Sequence, residues 1–214
     1  MSYVPLTMQR DPSSPPGGQP PVDPELLTRL KALCHEGWEI FNRFDVRVRG
    51  ESFHPFVAAE YELVLEALIP LRAPGQRFLE WGSATGVITI LADLLGFEAY
   101  GIELDAELVE EARGLAVAWD SEARFAAGSF LPTGYRFKGD RGDTRLGTIG
   151  DGMSGYLELV HPLDDFDVVY GFPWDGEASM MLDLMKTYGR PDALLLLNGV
   201  DTGIRKYRGG RPVH

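Results

Sequence analysis

The rhythm of hydrophobic and polar positions changes several times along this chain, and each change marks an element. Residues 1–24 have almost no rhythm. Seven prolines, with Ser13, Ser14, Gly17 and Gly18 among them, leave little to bury and few N–H groups for regular structure. The stretch reads as a flexible tail. From Glu25 onward, Leu26, Leu27, Leu30, Leu33, Trp38, Ile40, Phe41 and Phe44 recur at the spacing of an amphipathic helix of about four to five turns, with Gly37 as a candidate break. Asp23-Pro24 supplies an N-cap and a proline at the first helical position. Residues 45–55 form a connector. Phe56, Ala59, Leu63, Leu65, Ala67, Leu68 and Ile69 then predict a second helix, stopped by Pro70 and Pro74.

The next stretch is organised differently. Residues 78–81 (Phe-Leu-Glu-Trp) read as a buried strand carrying an acid, and in the loop Gly82-Ser83-Ala84-Thr85-Gly86 every second residue is small. Ile88, Leu91, Ala92 and Leu95 follow at helical spacing, with Gly96 as a stop. Residues 97–103 make a second strand ending in Glu103. Asp105 can N-cap the next helix, whose buried face is Leu108, Ala112 and Leu115. Residues 123–127 are a third strand, leading into Gly128-Ser129-Phe130.

Residues 133–152 hold six glycines and three aspartates and form an irregular segment, functional or mobile. The spacing of Asp140, Asp143 and Asp151 does not fit a helix-flanked calcium loop. A short helical piece over 153–160 precedes a strand over 166–170 and the segment Gly171-Phe172-Pro173-Trp174-Asp175-Gly176-Glu177. Met180, Met181, Leu184 and Met185 give the next helix an apolar face, and 193–197 is a buried strand. Strands alternating with helices imply an α/β fold, a doubly wound, mostly parallel sheet. The chain divides into the tail at 1–24, a helical cap over 25–74 and a core over 75–214, cap and core forming one globular unit.

Composition narrows the function classes. Of 214 residues, 44% are hydrophobic and 24% charged, with a net charge of −12, so a soluble globular protein is expected and a nucleic-acid partner is disfavoured. The local exception is Arg205, Lys206, Arg208 and Arg211, which reads as a solvated tail. One cysteine, Cys34, excludes an internal disulfide and a zinc cluster and reads as a small core residue. Neither a charged leader with an apolar run nor a membrane-length segment is present in the sequence, so a cytoplasmic location and no membrane partner are expected.

The chemistry concentrates at residues 80–86. A dinucleotide fingerprint Gly-x-Gly-x-x-Gly laid on Gly82 would put Ala84 at its second glycine and Val87 at its third, where a branched side chain obstructs approach to a pyrophosphate. An acid two positions before the first glycine repels a pyrophosphate and suits an ammonium or sulfonium charge. Glu80-x-Gly82-x-Ala84-x-Gly86 resembles the first motif of the class I (Rossmann-like) S-adenosylmethionine-dependent methyltransferases, with Ala84 replacing the middle glycine. Glu103, 23 residues after Glu80, corresponds to the family's acid that accepts hydrogen bonds from the ribose hydroxyls. Ser129 stands where the family often has an acid against the adenine amino group, and Phe130 where a ring could cover the base. Residues 166–177 correspond to the fourth motif, but Gly171-Phe172-Pro173-Trp174 lacks the amide or acid that accepts an amine proton in nitrogen methylation.

The resemblance implies that S-adenosylmethionine is bound by Glu80, Gly82, Ser83, Ala84, Gly86, Glu103, Ser129, Phe130 and Tyr170. Tyr170 through Trp174 would align the acceptor, with Asp175, Glu177 and His54 as candidate bases. The expected activity is methyl transfer to an unidentified small-molecule or protein acceptor. The alternatives are a catalytically inactive S-adenosylmethionine-binding protein and an NAD(P)-dependent oxidoreductase. Because the family's sheet usually ends in two further strands and this chain leaves room for at most one at 204–208, a truncated sheet is expected, with one edge covered by the cap, the terminal segment or another subunit. Its open edge at 193–197 makes a homodimer the natural expectation.

Overall fold

A computed structural model describes residues 21–48, 57–136, 152–174, 176–200 and 202–213. Helix α1 (Pro24–Val48) opens as the sequence indicates, with the Asp23 carboxylate accepting from the backbone N–H groups of Glu25 and Leu26. It is longer than expected and unbroken at Gly37. The glycine serves packing: a Cβ there would lie 2.8 Å from the Tyr61 ring and 3.0 Å from Val87. Helix α2 (Tyr61–Leu68) begins later than the pattern suggested, and Phe56 lies outside the described residues. Its buried face is Tyr61, Val64, Leu65 and Leu68, while Leu63 is exposed. A 3-10 turn over Ile69–Leu71 ends the cap.

Strand β1 (Arg77–Trp81), helix α3 (Val87–Leu94), β2 (Glu98–Glu103), α4 (Ala106–Ala118) and β3 (Arg124–Ala127) follow in the expected order. Asp105 N-caps α4, accepting from Glu107 and Leu108. The short α5 (Tyr156–Leu159), β4 (Val168–Gly171), α6 (Glu177–Tyr188) and β5 (Leu194–Gly199) complete the alternation. The expectation for 133–152 falls mostly outside the described residues.

The chain then departs from its expected end. Two strands follow rather than one, β6 (Gly203–Arg208) and β7 (Arg211–Val213), both antiparallel to their neighbours. Gly209 and Gly210, at φ +55° and +74°, supply the two left-handed positions a tight hairpin needs. The basic residues read as a solvated tail therefore belong to a paired hairpin. The sheet order is β3-β2-β1-β4-β5-β6-β7, and β5 is covered by β6 along its length. The sheet is not truncated after β5, and the open-edge argument for a homodimer falls with that premise.

The architecture is a doubly wound α/β fold, with strands β3 to β5 parallel and an antiparallel strand beside β5. Alternation along each strand sorts the core into two layers. Phe78, Tyr170 and Leu196 face α1 to α4. Leu79, Trp81, Val169 and Leu195 face α5 and α6.

Candidate functional site

Parallel register brings the polar ends of several strands to one place. Glu80 pairs with Gly101 on one side and Tyr170 on the other. Glu80 and Tyr170 share the face that carries α1 to α4, as does Asn198 two positions beyond Leu196, the partner of Tyr170. All three are buried. The Asn198 amide donates to the Tyr170 hydroxyl at 3.1 Å.

The loop between β1 and α3 shows why small residues alternate. Gly82, Ala84 and Gly86 all have positive φ, at +71°, +45° and +80°, a region that side chains with a Cβ rarely enter. Gly86 faces a second constraint, since a Cβ would sit 2.6 Å from the Phe125 ring. Gly82 differs: a Cβ there meets nothing within 4 Å, and the residue is exposed. Gly82 and Ser83 both donate to the Ile102 carbonyl, and Gly86 donates to that of Ser83, which fixes the loop against β2.

Two carboxyl groups flank it. Glu80 Oε2 accepts from the Thr89 N–H at 2.9 Å and from the Thr89 hydroxyl at 2.5 Å. Burial pushes the Glu80 carboxyl up to about 8, with the Thr89 bonds opposing and the Glu103 charge reinforcing. Glu103 Oε2 accepts from Ala84 N–H and its Oε1 from Asp105 N–H, each at 2.9 Å. Burial raises its pKa too, against those backbone bonds. Glu103 thus ties the end of β2 to the middle of the loop.

Tyr61, Val57, Glu80, Val87, Tyr170 and Phe172 enclose a cavity of about 30 Å³ together with the loop. That is room for about one water, against the several hundred Å³ that a nucleoside-sized ligand fills. The donor set itself suits a cationic, hydroxyl-bearing nucleoside: two buried carboxyls, aromatic walls and a loop without bulk.

Of the remaining expected residues, Ser83 also lines this cavity, while Ser129, Phe130, Trp174 and Glu177 do not. Ser83 is buried with its hydroxyl unpartnered among the described residues, and a Cβ on Gly101 would lie 2.7 Å from that oxygen. Ser129 is buried, and its hydroxyl accepts from the Leu131 N–H at 3.1 Å. The Phe130 ring stacks on Trp81 at 5.4 Å in the core beneath the sheet. Trp174 is half-buried, and its N–H donates to Glu177 Oε2 at 3.0 Å. Glu177, fully buried, also donates its own N–H to the Trp174 carbonyl. Its carboxylate braces the turn into α6. His54 and Asp175 lie outside the described residues. A Cβ at Gly171 would lie 2.9 Å from the Met181 thioether, so an amide or acid at that position, as found in nitrogen methyltransferases, would require the Met181 side chain to move.

Sequence reasoning missed Tyr61, Thr89 and Asn198. One signal was available: Thr89 is the polar residue in the otherwise apolar first half of α3. Tyr61 gave none, because a tyrosine at a helix start reads as core or surface alike. Among the described residues, no cluster of His, Cys, Asp and Glu could hold a metal, and no helix is long and apolar enough to cross a membrane.

No family model matches the sequence, and no curated protein matches it. Solved structures do resemble it at low identity. A SAM-dependent methyltransferase from Thiobacillus denitrificans, in complex with S-adenosyl-L-homocysteine, is 19% identical over 74% of this chain and 54% of its own, with a TM-score of 0.44. A precorrin-6y C5,15-methyltransferase from Geobacter metallireducens is 14% identical over 71% and 69%, at 0.46. The YcgJ protein from Bacillus subtilis is 17% identical over 64% of this chain, at 0.44, and this chain spans 50% of it.

Proposed function

We propose that this chain is an S-adenosylmethionine-dependent methyltransferase acting on a small-molecule or protein acceptor. The observation that carries the reading is the pair of buried acids at the ends of adjacent strands, Glu80 and Glu103, joined across a loop of small residues at positive φ that opens α3. In this reading Glu80 offers a carboxyl to the ligand's positive charge. Glu103 presents its remaining lone pairs to the ribose hydroxyls, and Gly82 leaves the open face on which the nucleoside rests. When bound, S-adenosylmethionine supplies a methyl group already activated on a sulfonium.

The chain's own part is then alignment. Tyr61, Tyr170 and Phe172 wall the methyl end, and the turn braced by Glu177 holds Trp174 at the rim. A nicotinamide cofactor fits less well: the branched Val87 is packed against Gly37 of α1 and lies where the dinucleotide pattern needs a glycine.

A second reading, a cofactor-binding protein without catalysis, is favoured by one observation. The Glu177 carboxylate, a candidate base, is taken up by the Trp174 backbone N–H. Calorimetry with S-adenosylhomocysteine and with NADH separates methyltransferase from oxidoreductase, and binding of NADH alone would overturn the proposal. Transfer of labelled methyl groups to a panel of metabolites and proteins separates catalysis from binding.

A further inference from the structure

Glu80 is buried, and the groups acting on it from the elements packed around it include no arginine or lysine. Tyr61 faces it from α2, Tyr170 from β4 and Glu103 from β2. Cys34 of α1 stands behind Tyr61. The one group that grips the carboxyl is Thr89, itself fully buried in α3, whose N–H and hydroxyl both go to Oε2. Oε1 takes no hydrogen bond from the described residues, and Glu80 lines the cavity walled by Tyr61, Tyr170 and Phe172. Among the described residues the arrangement holds no positive charge, and it presents one carboxyl oxygen and aromatic faces to whatever brings it.

We propose that Thr89 is the positioning residue for Glu80, holding one oxygen against α3 so that the other meets the cationic part of the cofactor, and that cofactor binding drives off the Glu80 proton. This rests on the methyltransferase reading. The exchange balances: a neutral Glu80 and a cationic ligand become a carboxylate–cation pair, and one proton passes to solvent. With the carboxyl held near 8 by burial, the proton is still in place at neutral pH. A neighbouring cation reverses the balance.

The test is calorimetry on the full chain at pH 7 with S-adenosylmethionine and S-adenosylhomocysteine, each in two buffers of different ionisation enthalpy. Measured as the difference from Glu80→Gln, the wild type should release a substantial part of one proton per ligand bound, and Glu80→Gln should not. Thr89→Val removes the hydroxyl and should weaken binding about tenfold, while Thr89→Ser should restore wild-type affinity. Equal proton release by wild type and Glu80→Gln, or Thr89→Val and Thr89→Ser binding alike, would overturn the proposal.

If neither ligand binds any form, the methyltransferase reading fails and the coupling with it. The positioning role is then judged without ligand, from the NMR titration of the Glu80 carboxyl carbon. Loss of a donor to the charged form moves that titration upward. A higher midpoint in Thr89→Val than in wild type and Thr89→Ser supports the positioning role, and identical midpoints in all three refute it.

Discussion

Glu80 is held by opposing demands, since burial favours its neutral form while the Thr89 hydrogen bonds favour the ionised one. The consequence for stability follows from linkage. Its carboxyl is raised from 4.5 to about 8 in the folded protein, so between those values the native state keeps a proton that the unfolded chain gives up. Stability is therefore fully present below about 4.5 and falls as the pH rises towards 8. Glu80→Gln, which can still accept from Thr89, should raise the calorimetric melting temperature at pH 8 by several degrees, about 1–3 kcal/mol, and change it little at pH 4.5. Glu177 makes a different case. Its carboxylate is bonded to the backbone N–H of Trp174, so Glu177→Gln should keep both the fold and the methyl-transfer rate within about twofold. Glu177→Ala should lower stability by about 1–3 kcal/mol in denaturant titration. A large loss of rate in Glu177→Gln with unchanged stability would support Glu177 as a base.

At the scale of elements, the contact of α1 with α2 and α3 sets the back wall of the site. Gly37 lets the Tyr61 ring and Val87 approach α1, and the Trp38 ring meets Tyr61 edge-on at 5.5 Å. Alanine at 37 would gain about 1 kcal/mol in helix propensity. It would also force the Tyr61 ring to shift, and overpacking of this kind costs about 1–3 kcal/mol. Gly37→Ala should therefore be net destabilising in chemical denaturation and should weaken cofactor binding through Tyr61. A stability gain would show that the ring has room to move. The periodicity made the helix legible but cast its glycine as a break, because a glycine that weakens a helix and one that admits a neighbour look the same in sequence.

At the scale of the molecule, the β6–β7 hairpin closes the side of the sheet that the sequence left open. Its outer strand is three residues long and contains Arg211 and Pro212, and short strands with charge and proline discourage edge-to-edge pairing. Arg208 and Arg211 stand directly opposite one another, a repulsive pair tolerable at an exposed rim. Light scattering on the intact chain should give the mass of one copy at micromolar concentration. Removing 202–214 should expose β5, with its apolar run Leu194 to Leu197, and produce aggregation on expression. A soluble, monomeric truncation would show that β6 is not what protects the edge.

The sequence by itself determined the order and type of most elements, the loop of alternating small residues and the two acids beside it. Those features are written in local periodicity and spacing, which act within a few turns of chain. Only the tertiary structure decided that Glu80, Tyr170 and Asn198 share one face, because strand register joins residues far apart in the chain. It decided likewise that Thr89 grips Glu80, that Tyr61 completes the wall, that Phe130 packs on Trp81 and that Glu177 braces a turn. Each of these depends on what one side chain meets across a packed interface, and a side chain's identity does not announce its neighbours.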